Sequence, residues 1–194
     1  MRLFKKKRDE DTPQRHELCD IPVGSMIELS DTTTFALEEK VTQTFELKAY
    51  KKYEAEGFVR YMYQLVDDDE EVILGVNMAP DTGEYELARF VIDSEEEFEE
   101  ALGDTIMMDF DDPDNEGETV QVEFVRDDII TTKMTVVSAE GEEEYHDIEL
   151  QEYAAEDGTL LSAELWESWF TFYIGELIER ADVNIFPMEK PAEE

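Results

Sequence analysis

The sequence predicts a β-dominated α+β domain built on antiparallel meander sheets, and three observations predict it. Residues 58–92 hold three short apolar runs, 58–66, 72–78 and 84–92, separated by turn-like breaks at Asp67-Asp-Asp-Glu-Glu71 and Ala79-Pro-Asp-Thr-Gly83. Runs of this length between turn residues read as a three-stranded meander. Residues 119–126 and parts of 129–138 alternate apolar with polar, the period of a half-buried strand. Helical signals are confined to two stretches, near 95–102 and near 162–180. A chain of 194 residues can bury a core without disulfides or metals.

Taken in order, residues 1–17 read as a flexible basic lead, residues 18–187 as a single β-rich domain and residues 188–194 as a flexible acidic tail. The lead holds five basic residues within its first eight and no acidic one there, and Pro13 follows. Pro22-Val-Gly24 reads as a turn entering a strand that ends near Leu29. Phe35 to Leu37 and Val41 to Tyr50 are further strand candidates, the second with one imperfect position in its alternation. The meander follows.

Ser94-Glu-Glu-Glu97 matches a capping box, and Phe98, Ala101 and Leu102 supply an apolar face ahead of Gly103. A Ser hydroxyl and a Glu three residues later satisfy orphan amides at a helix start. A short helix over 95–102 is therefore expected. Residues 105–110 suit a strand and residues 111–118 a loop. Asp127-Asp128 reads as a hairpin turn between strands 119–126 and 129–138, and Ala139-Glu-Gly-Glu142 turns into a strand ending at Tyr153. No repeat of fixed period is visible.

The C-terminal stretch supports two readings. Leu161, Leu165, Trp169, Tyr173 and Leu177 recur every four residues, as do Trp166, Phe170, Ile174 and Ile178. That stripe suits a helix over 162–180. The run Trp169-Phe-Thr-Phe-Tyr-Ile174 is equally rich in strand formers, which suits two strands, 159–165 and 168–174, around a turn at Trp166-Glu167.

Charge is the strongest compositional signal. The formal net charge is -37 at pH 7, and the basic start makes the remainder more negative still. Such a surface repels phosphates and anionic head groups, so direct nucleic-acid binding is not expected. A basic protein partner is. Imitation of a DNA phosphate array is the alternative, and Leu3 and Phe4 beside Lys5-Lys-Lys-Arg8 offer at most weak membrane contact through residues 1–8. Cys19 is the one cysteine, which excludes an internal disulfide and fits a reducing, cytoplasmic setting. No apolar run approaches the roughly 18 residues of a membrane span.

Motifs of catalysis are missing from the sequence. It contains no GxGxxG, no GxxxxGK[ST] and no HExxH. His16 and Cys19 lie beside the lead, where a nucleophile would be poorly held, and His146 reads as a strand-surface residue. A non-enzymatic protein is expected, with no cofactor. The best metal candidate is Asp112, Asp114, Glu116 and Glu123, which nearly match an EF-hand loop with Gly117 at its sixth position. Glu at position 5, Thr119 at position 8 and strand-like flanks argue for an acidic hairpin loop with at most weak Ca²⁺ binding.

Several runs resemble a known family. Ile21-Pro-Val-Gly-Ser-Met-Ile-Glu-Leu29 after a basic start, the meander with Tyr61 and Tyr63, Phe172-Tyr-Ile-Gly-Glu-Leu177 and Ala181-Asp-Val-Asn-Ile-Phe186 are similar to the YjfK-like bacterial proteins, a family of unknown function. The resemblance implies a β-rich fold, a bacterial cytosolic setting, an association with membrane-stress proteins of the phage-shock type, and a strand rather than a helix before Gly175. It supplies no functional residues.

Overall fold

The computed structural model describes residues 17–31, 41–68, 70–79, 82–97, 101–111 and 117–188. Residues 1–16 of the basic lead, the strand expected at 35–37, the acidic tail from 189 and three of the four metal candidates lie outside these residues. The described chain forms eleven antiparallel strands and one 3-10 turn: β1 (Met26–Asp31), β2 (Val41–Ala55), β3 (Phe58–Asp67), β4 (Glu70–Ala79), β5 (Glu84–Glu97), β6 (Thr105–Asp111), β7 (Thr119–Val137), β8 (Glu143–Ala155), β9 (Leu160–Trp166), β10 (Trp169–Ile178), the turn Arg180–Asp182 and β11 (Val183–Phe186).

The strands follow the order β11-β1-β2-β3-β4-β5-β10-β9-β8-β7-β6, and an additional pairing joins β2 to β7. That pairing closes eight strands, β2-β3-β4-β5-β10-β9-β8-β7, into a ring. The seam is short: Tyr50 to Glu54 of β2 face Val137 to Lys133 of β7. Beyond the seam β2 and β7 part company. The start of β2 pairs with β1 instead, and the start of β7 pairs with β6.

Alternation places three apolar clusters. The barrel interior holds Tyr53, Met62, Ile73, Phe90, Met134, Ile148, Leu150 and Tyr173. On the opposite face of the meander, β1, β11 and residues 18–21 cover Phe45, Leu47, Tyr61, Tyr63, Leu65, Leu74 and Val76. There the rings of Tyr61 and Tyr63 stack at 5.4 Å, and their hydroxyls donate to Asp20 and to the Leu18 carbonyl. On the opposite face of β8, β9 and β10, strand β6 covers Phe124, Tyr153, Leu161, Ala163, Phe170 and Phe172.

Three β-bulges explain how a strand serves two layers. An extra residue shifts the pleat by one position, so later side chains emerge on the other face. In β2 the extra residue is Lys48, between pairs Leu47–Leu65 and Ala49–Gln64. Phe45 and Leu47 thus join the outer cluster, whereas Lys51 and Tyr53 point into the barrel. In β7 it is Asp127, between pairs Arg126–Tyr153 and Asp128–Glu152. Phe124 is outer and Met134 is inner. In β5 it is Asp93, between pairs Ser94–Phe172 and Ile92–Tyr173.

Two glycines make room in the interior. A Cβ on Gly75 would lie 2.8 Å from the Phe90 ring, and one on Gly175 would lie 2.5 Å from that ring and 2.3 Å from the Arg89 carbonyl oxygen. Phe90 therefore spans bare backbone on both neighbouring strands, β4 and β10.

The β-dominated fold and the meander stand as the sequence predicts, two local expectations are corrected and one open choice is decided. No helix covers 95–97: β5 runs through Glu97, paired with Trp169 to Phe172 of β10, so cross-strand pairing outweighs the capping box. Residues 101–104 form no regular element either. Of the two readings of 162–180, the pair of strands stands, as β9 and β10, and the helix does not. A spacing of four is also a multiple of the strand period, so the stripe fits one face of a hairpin as well as one face of a helix. Asp127-Asp128 is no hairpin turn but the bulge inside the 19-residue β7. Among the described residues no helix is long and apolar enough to cross a membrane.

Candidate functional site

The barrel interior is not wholly apolar, and its polar groups form two clusters. Each is assembled from strands far apart in sequence. In the first, the Lys51 ammonium on β2 donates to both oxygens of the Glu164 carboxylate on β9, at 2.9 and 3.0 Å, and to the Tyr173 hydroxyl on β10 at 2.9 Å. The Tyr53 hydroxyl donates to Glu164 Oε2 at 2.5 Å. In the second, the Arg60 guanidinium on β3 donates to Asn77 Oδ1 at 2.6 Å, to Glu152 Oε1 at 2.6 Å and to Ser162 Oγ at 3.1 Å. Among the described residues no buried side-chain nitrogen or oxygen lacks a hydrogen-bond partner.

Burial and pairing raise three groups of the first cluster, Lys51, Tyr53 and Tyr173. Burial alone would lower the Lys51 ammonium, but Glu164 and Tyr173 outweigh it, and its pKa stands above the ordinary lysine value. Burial pushes the Tyr53 phenol well above its usual range, and the Glu164 charge pushes it further. Burial and Glu164 likewise raise Tyr173, against the pull of Lys51, to about 12. At neutral pH the first cluster is thus a fixed ammonium–carboxylate pair flanked by two neutral phenols. Lys51, Tyr53 and Tyr173 all hold their protons at pH 7.

Above Lys51 the barrel opens. A cavity of about 210 Å³ is lined by Lys51 and Tyr173 at its floor and by Ala49, Gln64, Ile92 and Glu95 among its walls. A cleft of about 340 Å³ adjoins it, lined by Glu95, Trp166, Glu167, Trp169 and Thr171. Glu95 belongs to both, so cavity and cleft form one mouth.

Register explains the composition of this mouth. Trp166 and Trp169 are directly opposed across the two-residue β9–β10 turn, and Trp169 is directly opposed to Glu97 of β5. One step deeper, Glu95, Thr171 and Glu164 form the next row. Directly opposed residues share a face, and this is the face that carries Tyr173 inward. The Asp93 bulge turns Glu95 and Glu97 to that side. His146 of β8 completes the rim, its ring 4.3 Å from the Trp166 ring and its Nε2 3.6 Å from Glu144 Oε2. Trp166 and Trp169 are 42% and 51% exposed, a large aromatic area left in water.

The residues singled out by sequence fare differently. Asp112, Asp114 and Glu116 lie outside the described residues. Glu123 is exposed on β7 opposite Met107, and the strands β6 and β7 flank the loop on its two sides. His16 is outside the described residues, and the Cys19 sulfur lies 3.9 Å from the Met78 sulfur. His146 is a strand residue as read, but it sits at the mouth against an indole. Lys51, Arg60, Glu152 and Glu164 escaped sequence reading. Their one sequence-level signal is a charged residue inside an apolar run, as in Leu160-Leu-Ser-Ala-Glu-Leu-Trp166.

No family model, curated protein or solved structure matches this chain. The YjfK-like resemblance rests on the residues quoted for it alone.

Proposed function

We propose that this chain is a non-enzymatic recognition module that presents a strongly acidic surface to a basic protein partner, with the barrel mouth as the point of contact. The observation that carries this reading is the coincidence of charge and shape. A chain of net charge -37 keeps its exposed indole pair within a rim of carboxylates, Glu95, Glu97, Glu144 and Glu167. The one ammonium at the floor, Lys51, is already paired with Glu164. A cation approaching the mouth therefore meets a net negative field, which steers association and weakens as salt rises.

Isothermal titration of the full chain with basic, neutral and acidic peptides of equal length tests the reading. Binding of the basic peptides alone, weakening steadily from 50 mM salt upward, is expected. An absence of binding at low salt, or affinity unchanged at about 1 M salt, would overturn it. Loss of a bound basic protein to competing duplex DNA would move the reading to DNA imitation.

A further inference from the structure

We infer that the mouth cleft formed by Trp166, Trp169 and Glu95 receives the guanidinium group of an arginine on that partner. The inference rests on the acidic-module reading and assigns it a site and a chemistry.

Four features converge. First, the two indoles are held as a directly opposed pair on a tight hairpin, and Trp166 is braced by the His146 ring. A flat aromatic surface that stays half exposed despite this support suits stacking by a ligand, and cations favour the indole face. Second, Glu97 lies directly across from Trp169, and Glu95 lies one row deeper in the same cleft. A group stacked on Trp169 thus has carboxylates within one strand spacing. Third, the Asp93 bulge exists only on β5. Without it Glu95 and Glu97 would turn outward and Ser94 and Glu96 would take the inner face, so the bulge fixes which acids border the indoles. Fourth, the inner cavity already holds the Lys51 ammonium. Because Lys51 already occupies Glu164, the floor offers a ligand cation no free counter-charge, whereas the rim offers Glu95 and Glu97.

Between the two cationic side chains, these features select guanidinium. It is planar, weakly hydrated and stacks on aromatic faces while its edge takes a carboxylate in two parallel hydrogen bonds. A lysine ammonium is compact and strongly hydrated, and it gains less from a half-open cleft.

The chain provides its own reporter. It contains two tryptophans, and both line the cleft, so tryptophan emission reads this site and no other. The experiment titrates the full chain with three blocked tripeptides, Gly-X-Gly with X arginine, lysine or citrulline. Arginine is expected to change the emission, lysine about fivefold more weakly, and citrulline, planar but uncharged, to leave it unchanged. Glu95→Gln should weaken the arginine response about fivefold or more, and Glu86→Gln, at the opposite end of the barrel, should leave it intact. Trp169→Phe should weaken it while Trp166 still reports, and far-ultraviolet circular dichroism verifies the fold of each variant. An equal response to citrulline, or a response untouched by Glu95→Gln in a folded variant, overturns the inference. If basic peptides still bind with full salt sensitivity while Glu95→Gln and Trp169→Phe have no effect, the cleft assignment falls and the acidic-module reading stands. If no basic peptide binds at all, both fall.

Discussion

The two halves of the molecule, β1–β5 and β6–β10, are built to one plan and finished differently. Each begins with a covering strand, β1 or β6. Each continues into a long bulged strand, β2 or β7, and then a three-stranded meander. The two meanders meet along β5 and β10, and the two long strands meet at the seam. Both long strands bulge where they leave the outer layer for the barrel wall, at Lys48 and at Asp127. The halves differ in two respects. The first has a thick outer layer, with β11 and residues 18–21 added to β1, and its cluster is dense with fully buried side chains. The second has β6, and Ile106, Met108, Phe110 and Val122 around it are half-buried. And β5 has a bulge and a 14-residue length where β10 is regular and has 10 residues. The matched parts make the scaffold. The mismatch at β5 makes the mouth, so the candidate site lies where the plan is broken.

Alkaline pH gives the largest separation of the two halves. Burial raises the phenols of Tyr53, Tyr61, Tyr63 and Tyr173 above the ordinary value of about 10, and pairing raises the Lys51 ammonium above its ordinary value. All five groups hold protons more tightly when folded. Their contribution is complete below pH 10 and is lost as pH rises from there through the folded-state values. Tyr61 and Tyr63 belong to the first half's outer layer and the others to the interior. A melting temperature level between pH 7 and 9, then a steep fall above 10 with these phenols ionising only as the chain unfolds, is expected in a titration at 295 nm. Free titration of all eight tyrosines near 10 would sink this.

The next effect lies on the contacts between halves. Lys51, Tyr53 and Arg60 come from the first half, and their partners Glu164, Tyr173, Glu152 and Ser162 come from the second. Glu164→Leu leaves the half-buried Lys51 ammonium without its counter-charge and the buried Tyr53 hydroxyl without its acceptor, and should cost about 3–5 kcal/mol in urea unfolding. Lys51→Met combined with Glu164→Leu should recover part of that loss, and a double variant worse than the single one would refute the pairing.

Phe45→Ala and Phe110→Ala apply one change to the two outer layers. The first removes a ring that is 1% exposed and should cost about 3–5 kcal/mol. The second removes a half-buried ring and should cost about half as much, because water already reaches it. Equal costs would mean that the second layer is as well packed as the first. Smallest is Gly75→Ala, expected at about 1–3 kcal/mol because the added methyl meets side chains alone and pushes the Phe90 ring off its place.

Strand positions were legible because alternation is local. The 58–92 meander announces itself through apolar runs and turn residues, and β3, β4 and β5 match it closely. The site was not legible, for a physical reason. Whether Lys51 faces the core or the solvent depends on the parity of β2, and one bulge at Lys48 reverses it. The imperfect alternation at 41–50 is the trace of that bulge. The same holds for Glu95 beyond Asp93. The pairing of Lys51 with Glu164 depends on ring closure across more than a hundred residues, and no local pattern encodes it. The acidic run 94–97 misled because its strand partners are the aromatics of β10, distant in the chain.

The short seam between β2 and β7 has a consequence for how the chain reaches this structure. Within the ring, each half pairs only neighbours in sequence, so both meanders form with little loop-closure entropy. The two joins between them, β5 with β10 and β2 with β7, bring together distant segments. The first spans ten residues of each strand and the second only five. The ring is therefore expected to close last at Tyr50–Glu54 and to open there first, and amide hydrogen exchange along those residues should be the fastest in the barrel wall. Lys51 and Tyr53 sit on that stretch. The hinge of the ring thus carries Lys51, one of the two residues at the floor of the mouth, so a ligand held in the mouth would slow exchange at the seam.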